Sequence, residues 1–137
     1  MTAYLPGSSF EMRTPLEQIR GELAEMQYLL QKKPEMFIVM NELVLRSLHD
    51  PAIRAHIKWL EEGWHGYVEH VLRQGKEQGL FRSDLDADSG ATWLILLIKG
   101  TTLHFMSNPE AVDFGRIQAE VESWLTGRPN TLPEKDS

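Results

Sequence analysis

The sequence predicts an all-α fold, a bundle of about five helices, and three observations predict it. Apolar residues recur at threes and fours, as in Leu16, Ile19, Leu23, Met26 and Leu30, the spacing that aligns side chains on one helical face. Helix-start residues stand before such stretches at Thr14, Asp50 and Asp86, the first two with proline next, where a side-chain oxygen can accept from free N–H groups. No run alternates with the period of two that a half-buried strand requires.

Each helix has its own start and stop. Thr14-Pro15-Leu16-Glu17 combines a capping-box threonine, proline at the first helical position and glutamate at the third. The helix that follows is broken at Lys33-Pro34, because a proline lacks an N–H and pushes its predecessor out of helical space. A second helix runs to about residue 48 with Met36, Phe37, Ile38, Val39, Met40, Leu43, Val44, Leu45 and Leu48. It is apolar nearly all round, which predicts a central, enclosed position. Asp50-Pro51 starts the third, which extends to residue 78. One stripe of it is Ile53, Ile57, Leu60, Trp64, Tyr67 and Val71; the next is Ala52, His56, Trp59, Gly63, Gly66 and His70. A glycine inside a helix costs about 1 kcal/mol relative to alanine, so Gly63 and Gly66 need either a close neighbouring helix or room for a ligand. A fourth helix over about 87–106 is apolar on more than one side through Trp93 to Ile98 and stops at Asn108-Pro109. A fifth, amphipathic one from about residue 113 ends at Gly127 and Pro129.

Between the third and fourth helices lies an elbow, residues 75 to 88. Gly79 can adopt the left-handed conformation that closes a helix, with Leu80 folding back on the last turn. Phe81 and Leu85 are expected to anchor the loop, and Asp86 to cap the next helix, with Asp88 adding negative charge at its positive end. Residues 1–13 read as a loose lead-in, 14–127 as one helical domain, and 128–137 as a disordered polar tail.

Bulk properties exclude several classes. The 137 residues correspond to about one domain. A formal charge of −6 and no Lys/Arg-rich run argue against this chain alone gripping a nucleic-acid backbone. The absence of cysteine excludes disulfides and thiolate metal sites. No secretory signal opens the chain, and the longest apolar run is far short of the roughly 20 residues that span a bilayer. A cytoplasmic protein is the expectation.

The segment Gly-Leu-Phe-Arg-Ser-Asp-Leu-Asp at residues 79–86, the Pro-Leu-Glu-Gln-Ile start at Pro15, the Lys-Pro-Glu-Met-Phe break at Lys33, the Asp-Pro start at Asp50 and the apolar helix into Gly100 follow one another in the order of a known domain. Together they resemble the C-terminal domain of TetR-family transcriptional regulators, over about residues 14–125. The resemblance implies a small-molecule pocket and a homodimer in which the last two helices pair with the partner's as a four-helix bundle. It places DNA binding in an N-terminal helix-turn-helix region; no basic tri-helical segment precedes Thr14, so this chain is expected to be the sensing and dimerising half.

Aromatics, methionines and gaps on facing helices form the expected ligand wall: Met26, Met36, Phe37, Met40, Trp59, Gly63, Trp64, Tyr67 and Trp93, with His56 offering a polar contact. Any one of them serves equally well as ordinary core. The expected association surface is Leu94, Leu97, Ile98, Thr101, His104 and Phe105 on the fourth helix with Ile117, Val121, Trp124 and Leu125 on the fifth, because two amphipathic helices side by side leave a patch that a two-fold copy can cover. Glu62 and His65 have the Glu-x-x-His spacing of di-iron bundles, yet those need a second pair, which the sequence lacks. No metal and no cofactor are expected. Catalysis is not expected either, since neither a nucleophile elbow nor a phosphate-binding glycine loop is present. The predicted role is therefore the effector-binding and dimerisation domain of a TetR-type regulator, with an apolar small molecule as effector. The alternative is a stand-alone helical carrier for such a molecule.

Overall fold

The computed structural model describes residues 13–130. Apart from Arg13 and residues 128–130, the expected lead-in and tail lie outside the described residues. The fold is all-α, with five α-helices among the described residues: α1 (Pro15–Lys32), α2 (Glu35–Ser47), α3 (Pro51–Glu77), α4 (Ala87–Ser107) and α5 (Phe114–Thr126), plus a 3-10 turn at Pro109–Ala111 between the last two. Among the described residues no helix is long and apolar enough to cross a membrane.

The boundaries follow from local chemistry. Thr14 and Glu17 complete the capping box: the Glu17 N–H donates to Thr14 Oγ1 at 3.2 Å, and the Thr14 N–H donates to Glu17 Oε1 at 2.8 Å. Asp50 Oδ1 accepts from the N–H groups of Ala52 and Ile53, Asp86 Oδ1 from those of Asp88 and Ser89, and Asp113 Oδ1 from that of Arg116. The Asp86 carboxyl is held below the usual carboxylate range, first by the Ser89 N–H. It stays charged where the α4 dipole favours an anion.

The elbow closes α3 as a Schellman motif. Gly79 has φ +74°; its N–H donates to the Lys76 carbonyl at 3.0 Å and that of Leu80 to the Gly75 carbonyl at 2.9 Å. Phe81 and Leu85 are buried, and the Arg82 N–H donates to the Leu125 carbonyl at 2.8 Å. The turn after α3 is thereby tied to the end of α5. A Cβ on Gly75 would lie 2.0 Å from the Phe81 ring, so glycine is needed there for the ring to seat.

One core holds α1, the second half of α3, α4 and α5 together. It comprises Ile19, Leu23, Met26 and Leu30 from α1, Val68, Val71 and Leu72 from α3, Phe81 and Leu85 from the elbow, Ala91, Leu94, Ile95 and Ile98 from α4, and Val121 and Leu125 from α5. Each such aliphatic side chain contributes about 1.5–3 kcal/mol when fully removed from water. Polar clips reinforce the packing: Arg20 donates twice to the Glu122 carboxylate, at 2.8 Å each, linking α1 to α5, and Lys99 of α4 pairs with Glu61 of α3.

The second helix departs from the sequence expectation. Predicted as the enclosed one, α2 packs mainly on α3, and its one buried residue is Ser47. Met36, Ile38, Val39, Met40, Val44, Leu45 and Leu48 are all exposed. The all-round apolar pattern needs partners on every side to be buried, and here a single helix supplies one. Among the described residues fourteen large apolar side chains are exposed, and nine of them are on α2, at Leu48 just after it, or at Trp59 and Leu60 of α3. Thus α2 and the first half of α3 form an arm that keeps most of its apolar surface outside the core and meets it through Phe37 and Trp64.

Candidate functional site

The expected ligand residues divide among three settings. Met26 is buried in the core, with Phe37, Trp64 and Tyr67 half-buried against it. Met36 and Met40 are exposed on the arm, as are His56 and Trp59, whose rings stack with centroids 5.9 Å apart. Gly63 is exposed too, and a Cβ there or on Gly66 would meet nothing within 4 Å. No neighbouring helix of the same chain therefore requires these two glycines, which leaves space on that face. Trp93 is elsewhere, against Trp124 of α5 with ring centroids 4.4 Å apart.

Beneath the arm, α1 and α3 share a polar group that periodicity alone passes over. Glu22 is only 7% exposed, and the Trp64 indole donates to its Oε1 at 3.3 Å. Burial, and then the Glu22 carboxylate, push the Tyr67 phenol up to about 12. Burial followed by Glu22 also raises Glu25. The signal was present in the sequence: Glu22 lies three residues after Ile19 and four before Met26, a stripe position at which a carboxylate has to find hydrogen bonds inside the bundle.

His65 makes its contacts with residues other than Glu62. Its Nε2 is 3.0 Å from both the Asp88 carboxylate and the Asp88 carbonyl, and its Nδ1 is 3.7 Å from Glu69, which also pairs with Arg73. The Glu-x-x-His spacing therefore does not bring its two side chains together. His65 instead joins α3 to the first turn of α4 beside the elbow.

The expected association residues split by face. Leu94, Ile98, Thr101, Val121 and Leu125 are buried in the chain's own core. They hold α4 and α5 against α1 and α3 and are largely covered by the chain itself, although Thr101 also reaches the groove described below. Leu97, Phe105, Ile117 and Trp124 are half-buried around that core, with Phe105 against Phe114 at 5.5 Å between centroids, and His104 is exposed. The exposed apolar line of α4 is Trp93, Leu96 and Leu103, with Gly100 between the leucines. A third side of the helix is thus offered outward, one that a pattern apolar on several sides did not single out. An open groove of about 430 Å³ runs beside this line between α4, the 3-10 turn and α5, lined among others by Leu96, Leu97, Thr101, His104, Val112 and Ile117.

The comparison to known families covers this whole succession of helices. The family described as BetI-type transcriptional repressor, C-terminal, matches residues 15–128, most of the chain. No curated protein and no solved structure gives a significant match. The matched span takes in α1 through α5 and the elbow whole, and the chain therefore belongs to the TetR family of transcriptional regulators, as a C-terminal domain of the BetI type.

Proposed function

We propose that this regulatory domain senses a small apolar effector with its arm and self-associates through α4 and α5. The observation that supports the reading is the concentration of uncovered apolar surface in two separate places, the arm and the outer line of α4, on a chain whose core is otherwise closed. Large contiguous apolar patches on a folded chain mark contact sites for ligands or partners. The arm has the chemistry for an adaptable apolar ligand: Met36 and Met40 are flexible and polarisable, Trp59 and the half-buried Phe37, Trp64 and Tyr67 are flat and large, and Gly63 leaves space. Trp93, packed on Trp124, belongs in this reading to the association face.

Coupling between the two faces would pass through α3. Its first half belongs to the arm, and its last turn enters the elbow that is bonded to α5. An effector that binds one placement of the arm more tightly than another shifts the population toward it; equal affinity for both shifts nothing. In a full-length regulator the two copies would convert that shift into the spacing of two DNA-binding regions. The role of these residues is regulatory, not catalytic.

Tryptophan fluorescence tests the sensing half. Titration with a panel of apolar compounds should give saturable quenching that weakens in Trp59→Phe and Trp64→Phe and persists in Trp124→Phe. Quenching lost only with Trp124, or no response across the panel, would sink the assignment of the arm.

A further inference from the structure

We propose that His65, Glu69 and Asp88 form a binding site for a divalent transition cation of the zinc type, one that ties α3 to the first turn of α4 beside the elbow. Sequence spacing pairs His65 with Glu62, but the structure gives it other neighbours. His65 and Glu69 stand four residues apart on one face of α3, and Asp88 comes from α4 on the far side of the elbow. One ligand atom from each of the three lies within 4.8 Å of those of the other two. Zinc bonds to imidazole nitrogen and carboxylate oxygen are about 2.0–2.2 Å long, which puts tetrahedral ligand atoms about 3.4 Å apart. His65 faces Asp88 with Nε2, at 3.0 Å, and Glu69 with Nδ1, at 3.7 Å. An ion takes one of these nitrogens, and a side-chain rotation of the other carboxylate brings the third ligand to it.

The protonation chemistry of the imidazole argues for a cation. A neutral histidine has one N–H and one lone pair, yet both ring nitrogens face carboxylates. One carboxylate therefore meets a lone pair, and a second proton or a metal ion on that nitrogen removes the conflict. Both carboxylates are also set to receive an ion. Glu69 keeps Oε2 on Arg73 and turns Oε1 to the ring, an outer contact of the kind that orients a ligating group. Asp88 leaves the capping of α4 to Asp86, whose Oδ1 accepts from the N–H groups of Asp88 and Ser89, and sends its own Oδ1 to His65. The positive end of the α4 dipole opposes a cation by about half a charge, against two negative charges from the ligands. Nitrogen with two oxygens suits zinc, cobalt or nickel, whereas magnesium and calcium take oxygen alone. No cysteine thiolate competes for the ion. Three protein ligands leave a position for water, reached past the Asp88 side chain, which is 74% exposed. His65 lies at the end of the arm half of α3, so a bound ion holds that end to α4.

Calorimetric titration of the EDTA-treated full chain with zinc chloride measures the site directly. About one equivalent of Zn2+ should bind, and zinc should raise the thermal midpoint of the parent, because the unfolded chain lacks the site. Loss of even an outer partner of a metal ligand costs about 10–100-fold in affinity, so His65→Gln and Asp88→Asn should each weaken binding at least about tenfold. His56→Gln, exposed on the same helix, should leave it unchanged. Should His65→Gln lose its helical circular dichroism, Asp88→Asn at its exposed position gives the same comparison. A folded parent that binds no zinc leaves His65 as an ion-pair bridge and overturns the site. So does zinc binding that survives both substitutions at full strength, or that His56→Gln weakens as much as His65→Gln, which would mean loose capture by scattered histidines.

Discussion

The two halves of α3 belong to one continuous helix and live in different surroundings. After residue 67 it buries Val68, Val71, Leu72 and Gly75 among α1, α4 and the elbow; before residue 67 it buries nothing. Both halves carry apolar stripes at the same spacing. What separates them is the number of partners. The second half is enclosed by α1, α4 and the elbow, whereas the first has α2 as its main neighbour and keeps Trp59 66% exposed. Stability is therefore expected to reside in one half and ligand response in the other, since surfaces that must admit a ligand are those not already filled.

Substitutions in matched pairs break or sharpen this contrast. The largest effect is expected from Leu72→Ala, where a wholly buried side chain leaves a cavity: urea denaturation should show a loss of about 3 kcal/mol. Leu45→Ala on the arm should change stability by less than about 0.5 kcal/mol. Equal losses at the two positions would mean that the arm is packed as tightly as the core.

Next come two helix glycines with opposite expected signs. Gly75→Ala drives a Cβ into the Phe81 ring, which is held by the N–H groups of Leu80 and Phe81 on the Gly75 carbonyl; a loss of about 2 kcal/mol is expected. Gly63→Ala fills open space and improves helix propensity, so it should raise stability by up to about 1 kcal/mol. If the same Gly63→Ala protein also lost its response to an effector, the glycine would be keeping ligand space at the expense of stability.

The smallest effect concerns pH at the boundary between the halves. Tyr67 has its phenol raised to about 12 by burial and Glu22, above the value near 10 expected in an unfolded chain. A raised folded pKa means that its stabilisation is complete below about pH 10 and is lost as pH rises toward 12. Spectrophotometric titration of the folded protein should show a late phenol ionisation that Tyr67→Phe removes. An unchanged late step would place it on another tyrosine.

Much of the fold was legible in the residues themselves. Thr14, Asp50 and Asp86 start helices because a short side-chain oxygen next to free N–H groups acts locally. Lys33-Pro34 and Gly79 stop them for equally local reasons, and Phe81 and Leu85 anchor the elbow as their size suggests. The site was less legible. Periodicity marks which residues share a face but is silent on whether another helix covers that face. Hence α2 was expected inside and stands outside, while Leu94, Val121 and Leu125 were expected at a partner and are spent on the chain's own core. Glu22 shows the same limit from the polar side, for its burial depends on Trp64, forty-two residues away.

By itself, then, the sequence determined the helices, their ends, the elbow between α3 and α4 and the family to which they belong, because caps, prolines and glycines act over a few residues. Only the tertiary structure decided which apolar faces are covered, that α3 is half core and half arm, and that Gly100 stands open in an exposed apolar line while Gly75 and Gly90 are filled by neighbours. Coverage is a property of packing between distant segments, and no local pattern encodes it.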